Sequence, residues 1–217
     1  MTVTLDLVKT EILSASDPAA LRHAASVLRH SGLAAFPTDT VYGVGAMAFV
    51  DEAVERLYTI KGRATDKAIA VLIGRAEDLP KVSIGLTPLA EKLARIFWPG
   101  SLTLIVPKHA ALPSAISANA TVGVRMPNHP AAIDLLKRTG PLAVTSANRS
   151  GEPSALTAAE VLAQLGGRID VLLDGGHVPG GVPSTVVDCT GAEPLILREG
   201  PITTSDIERA LTQGHLP

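Results

Sequence analysis

The sequence predicts an α/β protein built on a mixed sheet, and three observations support this prediction. Short apolar runs alternate with segments of helical periodicity along most of the chain. Helix-start signals precede several of the periodic segments. Strand candidates follow one another closely near the C-terminus. Strands mixed with helices define the α/β class, and the closely spaced strands favour a mixed sheet.

The helices are predicted from their start signals and from the spacing of their apolar residues. Asp17 is a good N-cap and is followed by proline at the first helical position, which predicts a helix that ends near His30. Asp51 is expected to cap a second helix, with Leu57 and Tyr58 on its buried face. Further helices are predicted at residues 87–98, 131–138, 157–165, where Thr-Ala-Ala-Glu forms a capping box, and 205–211.

The strands are predicted from short apolar runs between turn signals. These runs lie at residues 33–36, 41–48, 69–73, 102–106, 121–125, 142–145, 171–173, 185–187 and 195–197.

Composition excludes several classes of protein. The chain has 217 residues, of which 46% are hydrophobic and 18% charged, so a disordered chain is excluded. A net charge of -2 and an aromatic content of 3% argue against a dedicated nucleic-acid binder. The single cysteine, Cys189, excludes a disulfide framework within one chain and a cysteine-based zinc site. We find no secretion signal, membrane helix, repeat or linker. We therefore expect a soluble cytoplasmic protein with one domain over residues 1–217, its core at about 15–200.

Two local patterns favour structural explanations over chemistry. Gly43-Val-Gly-Ala-Met-Ala48 matches a dinucleotide fingerprint, but that fingerprint must open a helix, and the expected cap at Asp51 comes later. Close backbone packing is the better explanation. Cys189 follows a strand and is expected to be a buried structural thiol. No histidine pair has the H-x-x-x-H spacing of a zinc centre.

Polar residues concentrate in four segments that follow predicted strands or helices. Three hydroxyl side chains and one carboxylate crowd the turn at residues 37–43, and Lys61 and Arg63 flank Gly62 just past a helix. Structural explanations remain open for both segments, because such turns join strands and because Lys61 with Gly62 is typical of a helix C-terminus. The alternative for Lys61 and Arg63 is that the two cations hold a polyphosphate.

The other two segments offer neutral hydrogen-bonding groups and further arginines. Ser146 and Asn148 alternate in an extended segment, so they either face one polar ligand together or cap their own loop. Ser184 follows a glycine-rich loop, and Arg125 and Arg198 each end a strand. With Arg63, these arginines suggest an anionic ligand at the strand ends, although three independent surface arginines remain an alternative.

Together and in this order, the segments resemble the YrdC-like family of threonylcarbamoyl-adenylate synthases. The joint occurrence of the motifs is highly specific and covers residues from about 20 to 200. The matching stretches are FPTDTVYGVGA from Phe36, K-x-R from Lys61, FWPGSLTLIV from Phe97, VGVRMPNHP from Val122, TSANRSGEPS from Thr145, GGVPSTVVD from Gly180 and ILREG from Ile196.

The resemblance implies a fold and a reaction that spacing alone does not provide. The fold is a twisted, open mixed sheet flanked by helices around a deep, positively lined cavity. The reaction joins L-threonine, bicarbonate and ATP into threonylcarbamoyl-adenylate and releases pyrophosphate. Downstream threonylcarbamoyl-transfer proteins then modify tRNA, and direct contact of tRNA with this chain is left open.

The resemblance also assigns roles to residues. Lys61, Arg63, Ser146 and Asn148 are the implied catalytic residues. Threonine or carbamate binding is implied for Thr40, Arg125 and Ser184, and nucleotide binding for Arg63, Lys67, Asn148, Ser154 and Arg198. Mg²⁺ is expected on the triphosphate of ATP, with no ligand from a protein side chain.

Two departures and two alternative functions accompany the resemblance. Leu72 stands where many members have a histidine, and Pro183 where many have glutamate. We expect the chain to lack the extra C-terminal domain of the longer family branch, so the loop at residues 175–183 is a candidate to close the cavity. The alternatives are an RNA-binding module on the same fold and a carbamoyl-transfer step on another acceptor.

Overall fold

One mixed sheet of ten strands runs through residues 8–213, which are the residues that the computed structural model describes. The predicted domain ends at residues 1 and 217 lie outside this range. The strands are β1 (Glu11–Ser14), β2 (Ala34–Phe36), β3 (Gly43–Met47), β4 (Ala70–Leu72), β5 (Leu102–Pro107), β6 (Thr121–Arg125), β7 (Leu142–Ser146), β8 (Val171–Asp174), β9 (Thr185–Asp188) and β10 (Leu195–Arg198). Their order across the sheet is β1-β8-β2-β3-β7-β4-β6-β5-β9-β10.

The pairing explains why the sheet is mixed, as predicted. β1 and β2 run parallel to β8, β4 runs parallel to β6, and β5 runs parallel to β9. The neighbours β2–β3, β3–β7, β4–β7, β5–β6 and β9–β10 are antiparallel. β1 and β10 are the open edges, so the sheet is not closed into a barrel. The predicted α/β class with an open, twisted mixed sheet is confirmed.

Seven helices flank the sheet in the described part of the chain. They are α1 (Pro18–Arg29), α2 (Asp51–Lys61), α3 (Leu79–Val82), α4 (Pro88–Phe97), α5 (Pro130–Thr139), α6 (Ala158–Leu165) and α7 (Thr204–Gln213), with a 3₁₀ turn at Ala76–Asp78. Buried side chains form two apolar clusters, one per face of the sheet. The first cluster lies between the sheet and helices α1 and α5. The second lies between the opposite face of the sheet and helices α2, α4, α6 and α7. Neighbouring residues of β2 alternate between them, since Ala35 belongs to one cluster and Phe36 to the other.

The predicted helix starts are confirmed at three places and wrong at one. The side chains of Asp17, Thr87 and Thr157 each accept a hydrogen bond from a first-turn backbone N–H. Asp51 does not cap α2. The cap position is Val50, which has extended backbone, and Asp51 is already the first helical residue. Its carboxylate therefore acts through the helix dipole and not through a cap hydrogen bond.

Two of the structural explanations from the sequence are also confirmed. Gly43 and Gly45 lie in β3 and open no helix, and a Cβ on Gly45 would lie 3.1 Å from a methyl carbon of Val144. Cys189 is buried, and burial together with the charge of Asp188 raises the pKa of its thiol to about 12. Within residues 8–213 no helix is long and apolar enough to cross a membrane.

Candidate active site

A cavity of about 280 Å³ lies on one face of the sheet, between β3 and β10. Alternate residues of the strands point into it, so the sheet itself forms the floor. The wall is made of Thr38, Thr40, Val41, Gly43, Arg63, Ala68, Ile69, Ala70, Leu72, Thr103, Ile105, Gly123, Arg125, Val144, Thr145, Ser146, Pro183, Ser184, Val186 and Arg198. Six of the ten residues to which the resemblance assigns a role are among them: Thr40, Arg63, Arg125, Ser146, Ser184 and Arg198.

Arg125 lies on the cavity wall, and three different partners hold its guanidinium. Its Nε donates to the carbonyl of Gly100 at 2.9 Å, and its Nη1 donates to Thr40 Oγ1 at 3.0 Å. Its Nη2 donates to Asp39 Oδ1 at 2.6 Å. Asp39 Oδ1 also accepts the backbone N–H of Asn128 at 2.9 Å. Desolvation lowers the pKa of the buried Arg125, the charge and hydrogen bond of Asp39 work against this, and the positive charge of Arg198 lowers the pKa further. The group stays charged, because arginine does not deprotonate in proteins.

Arg63 and Arg198 contribute two further cations without a carboxylate partner among the described residues. Arg63 donates to the carbonyls of Lys67 and Ala68, at 3.1 and 2.9 Å. Arg198 donates twice to the carbonyl of Ser184, from Nε at 3.0 Å and from Nη2 at 2.8 Å. Partial burial lowers the pKa of both guanidinium groups. Both arginines therefore bring positive charge to the cavity wall that an anion can neutralise.

Lys61 lies behind the wall and not on it. It is 4% exposed, and its Nζ donates to the carbonyl of Ser146, with Ser146 Oγ at 3.5 Å. Burial, and then the positive charge of Arg63, lower the pKa of Lys61 to about 7. Gly62 adopts left-handed backbone with a φ of 61° and ends α2, so the predicted helix terminus is confirmed. The ammonium of Lys61 therefore contacts a wall residue, Ser146, and does not itself line the cavity.

Asn148, Lys67 and Ser154 also lie away from the cavity wall. The amide nitrogen of Asn148 donates to the carbonyls of Arg149 and Glu152, as expected of a loop that caps its own backbone. Its Oδ1 is buried and finds no hydrogen-bond donor among residues 8–213. The side chain of Lys67 is exposed, and Ser154 is partly buried.

The structure adds two polar residues to the site that the sequence assignments omit. Asp39 pairs with Arg125, and Thr103 Oγ1 lies 2.8 Å from Ser184 Oγ. In the sequence, Asp39 is the single carboxylate among the hydroxyl residues of the turn at residues 37–43. Its partner Arg125 is distant in the sequence, so the pair could not be predicted. Thr103 occupies an inward position of β5, where a strand pattern predicts core.

The two departures from the family pattern and the glycine-rich loop all meet at the cavity. Leu72 and Pro183 are wall residues. The loop at residues 175–183 is anchored at several points: the hydroxyl of Tyr42 donates to the carbonyl of Gly176 at 2.8 Å, and the N–H of Gly181 donates to the carbonyl of Thr40 at 2.9 Å. The loop is therefore packed against the Thr40 side of the site.

Comparison with known proteins supports the resemblance to the YrdC-like family that the sequence motifs indicate. The model of the Sua5/YciO/YrdC family, described as telomere recombination, matches residues 26–200. A Bacillus subtilis protein curated as threonylcarbamoyl-AMP synthase is 42% identical over 95% of this chain and 60% of its own length. A Pyrococcus abyssi protein of the same name is 41% identical over 88% of this chain and 57% of its own length. This chain thus spans about 60% of the length of these two relatives. A Mycobacterium tuberculosis relative, 40% identical over 93% of this chain, is matched over 95% of its length.

Solved structures share the fold. The crystal structure of Pyrococcus abyssi Sua5 complexed with L-threonine superposes with a TM-score of 0.90 at 38% identity. The match covers 94% of this chain and 61% of that chain. Escherichia coli YciO superposes with a TM-score of 0.78 at 24% identity, over 89% of this chain and 95% of that chain, which shows a common fold.

Proposed function

The chain belongs to the Sua5/YciO/YrdC family, and from this membership and the cavity we propose that it synthesises threonylcarbamoyl-adenylate from L-threonine, bicarbonate and ATP. The observation that carries the proposal is that three arginines line one cavity and a carboxylate pairs with one of them. Arg63 and Arg198 lack a carboxylate partner among residues 8–213, whereas Arg125 is paired with Asp39. Unpaired arginines suit the polyanionic triphosphate, and a paired arginine suits the single carboxylate of an amino acid.

The proposed reaction has two steps. The neutral amine of threonine reacts with bicarbonate, which forms an N–C bond, releases water and gives a carbamate. A carbamate oxygen then attacks the α-phosphorus of ATP, the bond to the bridging oxygen breaks, and pyrophosphate leaves. Carbamates decompose in water, so the protein must hold both reactants in line and exclude solvent. Such chemistry depends on positioning and charge neutralisation more than on a protein nucleophile.

The residues on the wall suit these tasks. We assign the carboxylate of threonine or the carbamate to Thr40, Arg125 and Ser184, and the phosphates to Arg63 and Arg198. Lys67 and Ser154 are placed with the nucleotide on the family pattern alone, and their side chains would have to turn toward it.

The residues behind and beside the wall have supporting roles in this proposal. Ser146 orients the reacting carbamate, and Lys61 fixes Ser146 from behind and adds a positive charge as phosphates bind. Asn148 Oδ1, which is buried without a donor, is a free acceptor for the nucleotide or the carbamate.

Magnesium is proposed to enter as part of the Mg·ATP substrate. The cavity wall offers hydroxyls and guanidinium groups and no carboxylate. Within the described residues no group of three or more His, Cys, Asp or Glu side chains is arranged to hold a metal ion. This donor set fits a cation that phosphate oxygens and water retain.

The product is an activated carbamoyl donor, so a transfer step must consume it. We propose that downstream threonylcarbamoyl-transfer proteins move the group to tRNA in the cytoplasm. We also propose that residues 1–217 act as one YrdC-like unit in the adenylation step. The acidic balance of the chain gives no support to tight binding of tRNA by this chain alone.

The decisive experiment measures pyrophosphate release with Mg·ATP, omitting L-threonine and bicarbonate in turn. We expect release only when both are present. The variant Arg63→Ala should lower the rate by about 100-fold or more, because it removes a preorganised charge near the phosphates. Arg75→Ala is the matched control, since Arg75 also donates to a backbone carbonyl but lies off the cavity wall. Release that needs neither co-substrate would contradict the proposal. No release while ATP still binds would also contradict it, and would favour the RNA-binding alternative.

A further inference from the structure

Beyond the family assignments, the cavity contains one carboxylate-arginine pair whose carboxylate does not reach the ligand space. Arg125 is on the wall, whereas Asp39 is not. Asp39 accepts from Arg125 at 2.6 Å and from the N–H of Asn128 at 2.9 Å, so its own position is fixed by the backbone. The side chain of Arg125 is 7% exposed and that of Asp39 is 17% exposed. The pair is therefore largely removed from water, where charge-assisted hydrogen bonds are strong and directional.

The contacts of Arg125 leave a defined set of donors free. A guanidinium has five N–H bonds, one on Nε and two on each terminal nitrogen. Gly100, Thr40 and Asp39 each take one, from three different nitrogens. Each terminal nitrogen then keeps one N–H bond without an acceptor among residues 8–213. Two N–H bonds of a guanidinium that lies on the cavity wall are thus available to the oxygens of a ligand.

Asp39 also acts on the charge of Arg125. Of the three wall arginines, Arg125 is the one with an ion-pair partner in the described part of the chain. The carboxylate of Asp39 therefore offsets part of the charge of Arg125, although the positive charge of Arg198 also acts on Arg125. An arginine whose charge is offset in this way favours a single carboxylate over a phosphate chain.

We propose that Asp39 is a positioning residue that holds Arg125 in the orientation needed to take the carboxylate of the amino-acid substrate. This inference rests on the proposed function. It predicts that loss of Asp39 affects the amino acid and not the nucleotide, because the effect passes through Arg125.

The test compares equilibrium binding of L-threonine and of Mg·ATP by calorimetry in the wild-type protein, Asp39→Asn, Arg125→Gln and the double variant. We expect Asp39→Asn to weaken L-threonine binding by about 10–100-fold, which corresponds to one hydrogen bond to a charged group, while Mg·ATP binding changes less than about 3-fold. In the Arg125→Gln background, Asp39→Asn should have little further effect on L-threonine. Asp134→Asn is the matched control, because Asp134 also pairs with an arginine, Arg138, but on α5 away from the cavity wall.

Each outcome decides the point. Equal weakening of L-threonine and Mg·ATP binding by Asp39→Asn would indicate a general structural role and would overturn the proposal. So would an unchanged effect of Asp39→Asn on L-threonine binding in the Arg125→Gln background.

If thermal melting shows that Asp39→Asn is unfolded, the test uses Asp39→Glu in its place, because glutamate keeps the negative charge. That variant should retain Mg·ATP binding and weaken L-threonine, and unchanged L-threonine binding would overturn the proposal. A wild-type protein that binds no L-threonine would refute the proposed function itself. Wild-type binding that Asp39→Asn leaves unchanged would refute the role of Asp39 alone.

Discussion

Replacing Lys61 by methionine should make the protein more stable at neutral pH while abolishing its activity. The ammonium of Lys61 is buried with backbone and hydroxyl oxygens of Ser146 as its hydrogen-bond partners, and its pKa falls from an ordinary value of 10.5 to about 7. At 1.36 kcal/mol per pH unit, this difference corresponds to a penalty of about 5 kcal/mol on the folded state. Methionine removes the penalty and forfeits contacts worth about 1–2 kcal/mol. The net gain at pH 7 is therefore about 3 kcal/mol, or about 6–12 °C in Tm for a chain of this size.

The pH dependence separates this effect from other consequences of the substitution. Between pH 7 and 10.5 the unfolded chain holds a proton on Lys61 that the folded protein does not hold. The free energy of unfolding of the wild type therefore rises with pH in this window relative to Lys61→Met. The advantage of Lys61→Met should be greatest at pH 7 and below, and it should vanish by about pH 10.

Urea unfolding of both proteins from pH 6 to 10 measures this difference directly. Lys108→Met is the control, because Lys108 also donates to a backbone carbonyl but is only partly buried. A less stable Lys61→Met at pH 7, or a difference that does not change with pH, would refute the reasoning. A large loss of stability would instead support the simple role of Lys61 at the C-terminus of α2.

Three further predictions follow from individual contacts. Gly200→Ala should lower the rate of pyrophosphate release at least about 10-fold and lower Tm, because an added Cβ would lie 2.8 Å from the carbonyl carbon of Ser184; unchanged kinetics would count against the placement of Ser184. Tyr42→Phe should lower the free energy of unfolding in urea by about 1–3 kcal/mol, because its hydroxyl donates to the carbonyl of Gly176 at 2.8 Å. The thiol of Cys189 should not react with a disulfide reagent at pH 8 until the protein is unfolded, because it is buried and its pKa is raised to about 12; rapid reaction of the native protein would contradict this.

The elements that the sequence predicted correctly are those with a strong local signal. β2 and β6 are apolar runs between turn residues, and α1 begins with a capping aspartate and a proline. β1 was missed because it contains no apolar run, and α3 because a single turn of helix shows no apolar periodicity. The burial of β1 at the open edge of the sheet is slight, so it needs no apolar run. The prediction at Asp51 was wrong because it treated a first-turn carboxylate as a cap. Aspartate is common at both positions, so the residue type alone does not tell a cap from a first-turn residue.

The site was predicted less completely than the fold because its contacts join distant parts of the chain. Arg125 and Arg198 each end a strand, and ligands of open sheets gather at strand ends, so these two arginines and Arg63 suggested an anionic ligand, with three independent surface arginines as the alternative. The pairing of Asp39 with Arg125 joins residues that are 86 apart in sequence. The position of Lys61 behind Ser146 depends on how α2 packs, which residue type and spacing do not specify.

Several inward residues of the strands are small or hydroxylated, and this leaves room for the cavity beside larger apolar residues such as Leu72 and Ile105. Ala70, Thr103 and Gly123 lie at inward positions of β4, β5 and β6. A Cβ on Gly123 would already lie 3.2 Å from Thr103 Cγ2, so the floor is close-packed although the space above it is open. A strand pattern assigns such residues to the core, because periodicity reports which face is turned inward and not whether a helix covers that face. The small side chains therefore make part of the distinction between core and site, and the buried charges are held by protein groups: Asp39 pairs with Arg125, and oxygens of Ser146 accept from Lys61.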